Sequence, residues 1–303
     1  MKKVEPYTFN SIAELHRVLR LPKPFHPLIS LVKNCDIGGA KDDIPGALLL
    51  NFYKIAYKDN LQGKIKYGQT HYDFDEGGLM FVSPNQLMSS TDEKTTYEGF
   101  SLLFHPDFIR NYQLAKTIKN YGFFSYTINE VLHLSDPEKK SILSIFKNIE
   151  CELKLPIDDF SQDVMISQID LLLQYSNRYY KRQFTTRKTV SNNLLEKLEL
   201  ILTDYFDNET ALMKGLPTVQ YLSEKLNISA HYLSNMLRSL TGQNAQQHIH
   251  NKLIDKAKEV LTSTNLSVSE IAYQLGFEHP QSFSKLFKGK TKLSPLEFRQ
   301  SFN

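Results

Sequence analysis

Residues 218 to 303 carry one helix-turn-helix pattern twice, and this repeat limits the fold more than any other feature of the chain. Val219, Leu222 and Leu226 share one helical face, and Val268, Ile271 and Leu275 repeat that face 49 positions later. Each trio is followed by a short turn, Asn227-Ile228-Ser229 in the first copy and Gly276-Phe277-Glu278 in the second. A second helix then carries Leu233, Met236 and Leu237, matched 50 positions on by Phe283, Leu286 and Phe287. Two short helices joined by a tight turn form the unit that places its second helix in a DNA major groove. Two such units in one chain have the means to read successive major-groove faces, roughly 34 Å apart.

Within the first copy, Ser229 is a good N-cap for the second helix. Tyr232, Leu233, Met236, Leu237 and Leu240 form its apolar stripe, which leaves His231, Ser234, Asn235 and Arg238 facing outward. Thr241-Gly242 supplies the stop, since glycine readily takes the left-handed conformation that ends a helix. Asn244 to Ser263 reads as a long joining helix with Ile249, Leu253, Ala257 and Val260 at helical period. Ser267 followed by Glu270 is a capping box for the first helix of the second copy. In the next helix Phe283, Leu286 and Phe287 face inward, while Gln281, Ser282, Ser284, Lys285 and Lys288 face outward. Both outward sets hold donors and acceptors suited to base edges and phosphates. Surface Ser, Asn and Lys are as often merely solvated. A last short helix starts at Pro295 and ends near Phe302.

The charge distribution agrees with a basic C-terminal half. The net charge of the 303 residues is +3. Residues 1–177 hold 19 basic and 22 acidic side chains, whereas residues 178–189 hold five basic side chains and no acid. Residues 230–303 hold nine basic and five acidic ones. Phosphate contact requires a displacement of this sign.

The first 105 or so residues read as mainly β. Strands are expected over 47–57, 64–74, 79–82 and 99–105, with turn signals at Glu76-Gly77-Gly78 and Ser83-Pro84-Asn85. Short strands so punctuated suggest a sandwich or barrel. Helices follow over 107–112, from Asp136-Pro137-Glu138 to about Leu153, and from Phe160 to Tyr180. In the second of these Asp136 is read as the cap, and Pro156 breaks the chain after it. The broad apolar arc of the third suits packing within the domain or a seam between two chains. Lys181 to Asn193 is polar and basic and reads as a linker. A helix from about Leu194 to Phe206 opens the second domain. The fold class is therefore α+β, with residues 1–180 as a β-rich domain carrying C-terminal helices, 181–193 as linker and 194–303 as an all-α domain.

Several function classes are disfavoured. There is no run of 18 apolar residues, so a membrane span is not expected. The start, Met1 to Pro6, lacks the apolar stretch of a secretory signal. Two distant cysteines, Cys35 and Cys151, fit free thiols in a reducing cytoplasm and provide no metal-finger spacing. His71 and Asp73 alternate on a strand, but no further ligands accompany them, so no metal and no cofactor are expected. His26, His105 and His133 stand alone, and no phosphate loop or nucleophile elbow occurs. The acidic pairs Asp42-Asp43 and Asp158-Asp159 read as solvated faces. Tyr53, Tyr57, Tyr67, Tyr72, Phe74, Phe81 and Phe104 either fill the β core or line a ligand cavity.

Residues 195–302 resemble the DNA-binding domain of the AraC/XylS family of bacterial transcription regulators. The resemblance rests on Ser269-Glu270-Ile271-Ala272-Tyr273-Gln274-Leu275-Gly276-Phe277, then Ser282-Phe283-Ser284-Lys285-Leu286-Phe287-Lys288, then Ser294-Pro295-Leu296-Glu297-Phe298-Arg299. It implies base-reading roles for His231, Ser234 and Asn235 in the first copy and for Gln281, Ser282, Ser284 and Lys285 in the second. Three positions depart from the family pattern. Lys292 stands where Gly is usual, and Lys285 and Lys252 stand where Arg is common. Lys lacks the bidentate fork of Arg, so sequence preference is expected to differ at that end of the site. The first domain is similar in layout to cupin-like sensor domains, through Asp73 to Asn85. The resemblance implies a cytoplasmic regulator, an activator, acting on double-stranded promoter DNA and RNA polymerase. A small-molecule effector and a homodimer are implied through the first domain. Two alternatives stand beside it. One is a cupin-type enzyme or small-molecule binder with a helical scaffold; the other is a regulator that takes no effector.

Overall fold

The computed structural model describes residues 6–37, 47–59, 65–67, 70–72, 77–89, 98–126, 130–186, 188–208 and 210–301. It is α+β, with its sheets in the N-terminal part and a helical C-terminal part. The chain divides into two compact units, residues 1–183 and 184–303.

Among the described residues the first unit contains ten strands: β1 (Tyr7–Phe9), β2 (Ile29–Lys33), β3 (Ala47–Leu50), β4 (Tyr53–Lys58), β5 (Ile65–Tyr67), β6 (Thr70–Tyr72), β7 (Gly78–Val82), β8 (Leu87–Ser89), β9 (Gly99–Phe104) and β10 (Leu132–His133). Five of them form an antiparallel sheet in the order β10-β7-β4-β9-β2. Three form a smaller sheet, β1-β3-β8, in which β1 runs parallel to β3. The remaining two, β5 and β6, pair with each other across the region where a single strand over 64–74 is expected. Asp73 to Glu76 and Asp42-Asp43 lie outside the described residues, as does Phe302.

Both faces of the five-stranded sheet are covered, which explains why β7 reads as a continuous apolar run rather than an alternating one. On one face Val32 and Leu103 pack with Phe9, Leu50 and Phe52, and with Ile12, Leu15 and Leu19 from helix α1 (Ile12–Val18) and its end. That helix starts because the Ser11 hydroxyl accepts from the Glu14 amide. On the other face Tyr57 and Phe100 meet Phe146, and Phe81 meets Phe123 and Tyr180. Tyr57, Phe81 and Phe104 are thus core side chains, fully or almost fully buried. Burial pushes the Tyr57 hydroxyl strongly up, aided by its hydrogen bond to Asp59. Tyr53 is half-buried and stacks on Phe104.

Four helices complete this unit: α2 (Pro106–Ile109), α3 (Leu114–Thr117), α4 (Asp136–Lys154) and α5 (Ser161–Thr186). The cap of α4 is Ser135 rather than Asp136. Its amide donates to Glu138 Oε2 at 2.9 Å, and the same carboxylate pairs with Arg182 at 2.7 Å. The helix ends before Pro156, which holds Leu155 extended at φ −78° and ψ 157°.

Seven helices follow: α6 (Lys188–Asp207), α7 (Thr210–Lys214), α8 (Val219–Leu226), α9 (Ala230–Thr241), α10 (Ala245–Ser263), α11 (Val268–Gln274) and α12 (Pro280–Thr291), with α13 (Pro295–Gln300) closing the chain. The segment 181–193, expected to be a linker, is helical in its described residues, shared between α5 and α6. It contains neither Gly nor Pro, and Lys, Arg and Gln are good helix formers, so polarity alone was a poor guide to irregular structure there. Among the described residues, no helix is long and apolar enough to cross a membrane, and no three His, Cys, Asp or Glu residues come together in a metal-holding group.

Candidate nucleic-acid interface

Each helix-turn-helix copy is assembled from the same local hydrogen bonds. Thr218 caps α8 through its hydroxyl and the Tyr221 amide at 3.1 Å. Leaving α8, the chain takes a left-handed turn at Asn227 (φ 55°), and the Ile228 amide donates to the Ser223 carbonyl at 3.0 Å. In the second copy Gly276 (φ 89°) holds the left-handed position, and the Phe277 amide donates to the Ala272 carbonyl at 3.0 Å. Donor and acceptor are both displaced by the 49 residues of the repeat. This is the 6→1 closure that satisfies orphan carbonyls at a helix end.

Gly276 is required for more than its φ. A Cβ at this position would lie 2.7 Å from the Gly215 carbonyl carbon and 2.8 Å from the Ala211 carbonyl oxygen. The turn of the second copy therefore sits directly on the backbone that ends α7, a helix that no periodicity in the sequence announced. Tyr205 of α6 secures the same spot, its hydroxyl donating to the Gly215 carbonyl at 3.0 Å.

The two second helices start differently and end alike. Ser229 caps α9 through the Tyr232 amide at 3.1 Å, and Pro280 opens α12 after His279. Leu233, Met236 and Leu237 of α9 are buried, as are Phe283 and Phe287 of α12. Leu286 is only half-buried, as are Tyr232 and Leu240, the last two at the edges of the stripe in α9. Both helices end in a left-handed residue, Gly242 (φ 75°) and Lys292 (φ 69°), whose amides donate to the Arg238 and Lys288 carbonyls at 3.0 and 2.9 Å. Thr241 and Thr291 each turn a hydroxyl back onto the helix, to the Leu237 and Phe287 carbonyls, at 2.8 Å. Capping boxes then restart the chain at Asn244 with Gln247 and at Ser294 with Glu297. The repeat therefore extends through the start of a third helix, with Thr241 and Thr291 as its unrecognised sequence signal. Lys292 occupies the position where a residue without a Cβ is least strained, which accounts physically for the preference for Gly there.

The nine outward residues lie where this geometry puts them. Four pairs correspond at an offset of 50: His231 with Gln281, Ser234 with Ser284, Asn235 with Lys285, and Arg238 with Lys288. His231, Arg238, Gln281, Lys285 and Lys288 are exposed, and Ser234, Asn235 and Ser284 are half-exposed at the edge of the buried stripe. Ser282 is exposed, whereas its counterpart Tyr232 meets Phe184 edge-on at 5.1 Å between ring centres. The faces thus differ: imidazole, one hydroxyl, amide and guanidinium on α9 against amide, two hydroxyls and two ammonium groups on α12. The side chains of Arg238 and Lys285 form no hydrogen bond or ion pair among the described residues.

Ties behind the two faces hold them. Lys256 of α10 pairs with Asp207 of α6 at 2.8 Å. Lys252 and His248 approach Glu199 at 4.0 and 3.8 Å, so Lys252 braces α10 against α6. Arg299 of α13 donates to the carbonyls of Leu261 and Leu266, at 3.0 and 2.7 Å, which closes the end of α10 and the loop into α11. Phe298 packs edge-on against Phe287.

The geometry can be set against known proteins. A helix-turn-helix domain family matches residues 222–301. The chain is 24% identical to the HTH-type transcriptional regulator YfiF of Bacillus subtilis (strain 168), over 83% of this chain and 78% of that protein. It is 35% identical to the HTH-type transcriptional regulator YisR of the same organism, over 29% of this chain and 30% of that protein. It is 28% identical to the HTH-type transcriptional activator RhaS of Escherichia coli O139:H28, over 46% of each chain. The chain thus spans most of the first of these proteins and less than half of the other two.

Proposed function

We infer that this chain, whose C-terminal region carries an AraC-type helix-turn-helix domain, is a transcription regulator that binds promoter DNA by setting α9 and α12 in two successive major grooves. The observation that carries the reading is the duplicated unit, conserved between its copies down to the Thr hydroxyl that closes each second helix. A generic helical bundle has no reason to repeat a turn at an offset of 49 and a stop and a cap at an offset of 50, or to leave both second helices polar on their outer face. His231, Ser234, Asn235, Gln281, Ser282, Ser284 and Lys285 are the base-reading candidates. Arg238 and Lys288, further along each helix, are the phosphate-contact candidates in this reading.

Residues 1–183 supply control in this reading, and the protein works in the cytoplasm as an activator in contact with RNA polymerase. A small-molecule effector acts by favouring one of two arrangements of the protein, to the extent that it binds that arrangement better. A homodimer forms through the first unit, supported by the exposed apolar side chains Val164 and Leu171 on α5 and Phe160 just before it. Selection of genomic fragments by the purified full-length protein, followed by sequencing, tests the DNA reading. Two short boxes about one helical turn apart are expected. Retention no better than that of random duplex at physiological salt would defeat the inference. Lys285→Ala separates the roles of that side chain: if it reads a base, it costs about 1–3 kcal/mol at the preferred site alone.

A further inference from the structure

A polar bridge links the two helix-turn-helix copies, and it passes through a single side chain. Asn251 lies on the second turn of α10 and is half-buried. Its Nδ2 donates at 2.7 Å to Oε1 of Gln243, which stands between the Gly242 stop of α9 and the Asn244 cap of α10. Its Oδ1 accepts at 3.1 Å from Nζ of Lys290, in the last turn of α12. The bridge has one possible polarity. An ammonium only donates, so the Asn251 oxygen must face Lys290, its amino group must face Gln243, and Gln243 must present its oxygen. Each amide orientation is thus set by the charge at one end. Lys290 also lowers the pKa of the adjacent His250, second to burial, which agrees with its position over this part of α10.

Elsewhere α12 meets its neighbours through rings: Phe283 on Phe277 and Phe287 on Phe298. Burial of these rings is non-directional, and although ring pairs prefer offset or edge-on geometries they tolerate small rotations of a helix. A hydrogen-bonded bridge does not, because its strength falls steeply as the angles degrade. We propose that Asn251 is a positioning residue that sets the register between α9 and α12, and with it the number of base pairs allowed between the two DNA boxes. Lys290 is accordingly engaged in the protein, unlike Lys285, and does not serve as a base reader. This inference rests on the DNA-binding reading above.

The test is selection from a pool of random-sequence duplexes by full-length wild type, Asn251→Leu, Asn251→Asp and Lys290→Met, with the spacing between boxes read from the retained sequences. Wild type is expected to retain one spacing, preferred about tenfold over spacings one base pair shorter or longer. In Asn251→Leu that preference should fall about fivefold, the effect of losing one to two hydrogen bonds, while the sequence of each box stays the same. Lys290→Met, an exposed change, should relax spacing in the same direction. Asn251→Asp should keep the wild-type spacing, because Gln243 can turn its amino group toward the second carboxylate oxygen while Lys290 pairs with the first. Spacing preference unchanged in both Asn251→Leu and Lys290→Met overturns the proposal. So does loss of all binding by Asn251→Leu with spacing unchanged in Lys290→Met. A wild-type protein that retains no motif at all fails the DNA reading itself, and the register proposal falls with it.

Discussion

Gly276 offers the sharpest test of how the second helix-turn-helix copy is held, because Gly242 provides an internal control. Both residues are left-handed, with φ 89° and 75°. Gly242 has open space where a Cβ would go, whereas Gly276 faces the backbone of Ala211 and Gly215 within 2.9 Å. Replacing either with Ala forces an L residue into the left-handed region, at about 1–2 kcal/mol. A less flexible unfolded chain returns about 0.4–1 kcal/mol. Gly242→Ala should therefore cost about 1 kcal/mol. Gly276→Ala adds an overpacking penalty of about 1–3 kcal/mol. The opposing atoms are backbone and cannot swing aside, and displacing Gly215 also strains the Tyr205 hydrogen bond. The expected total is about 2–4 kcal/mol, so the two variants should differ by about 2 kcal/mol. The chain has no Trp, so urea unfolding is best followed by far-ultraviolet circular dichroism. Hydrogen exchange in peptides from 268–291 would localise the loss to the second copy. If the two variants unfold within about 0.5 kcal/mol of each other, the close approach of turn to α7 does not contribute as argued, since overpacking at this contact would have to exceed that margin.

Two further perturbations follow from the ties behind the interface. Arg299→Met keeps the aliphatic stem but removes both donors to Leu261 and Leu266; a loss of about 2–4 kcal/mol is expected, and a urea midpoint unchanged from wild type would show that water replaces the guanidinium without cost. The Ser267–Glu270 and Ser294–Glu297 capping boxes predict an acid limb. Glu270 is held below the usual carboxylate range first by the Ser267 hydroxyl and then by its amide, and Glu297 first by the Ser294 amide and then by its hydroxyl. A lowered folded value means that the stabilisation is complete above the ordinary glutamate value of about 4.3 and is lost as pH falls through the lower folded values. The double variant Glu270→Gln, Glu297→Gln should flatten the fall of the urea midpoint over that window. An identical slope in wild type and variant would remove these carboxylates from the account.

Much of the C-terminal fold was legible because its signals are local. The caps Ser229 and Ser267, the stop at Gly242 and the buried stripes of α9 and α12 each depend on residues within one or two helical turns, where periodicity and capping chemistry act directly. The same locality explains the misreadings. Asp136 and Ser135 are adjacent and both are good caps, and the choice fell to Ser135 because Glu138, reaching back to its amide, also serves Arg182 from α5. The polar run 181–193 carried no apolar periodicity to mark it as helix, yet nothing in it breaks one.

The amino-acid sequence by itself determined that two helix-turn-helix copies exist, several of the caps and stops within them, and which polar side chains face away from the core. Those properties follow from hydrogen bonds and hydrophobic spacing within a short stretch of chain. Tertiary structure alone decided what lies behind them: the seat of Gly276 on Gly215, the brace from Lys252 and Lys256 to α6, the closure by Arg299, and the Gln243–Asn251–Lys290 bridge. The bridge joins side chains up to 47 positions apart, and nothing in residue type or spacing marks an Asn as a bridge. Such contacts depend on the angles at which α6, α10 and α12 pack, and those angles are set by side-chain volumes summed over the whole unit.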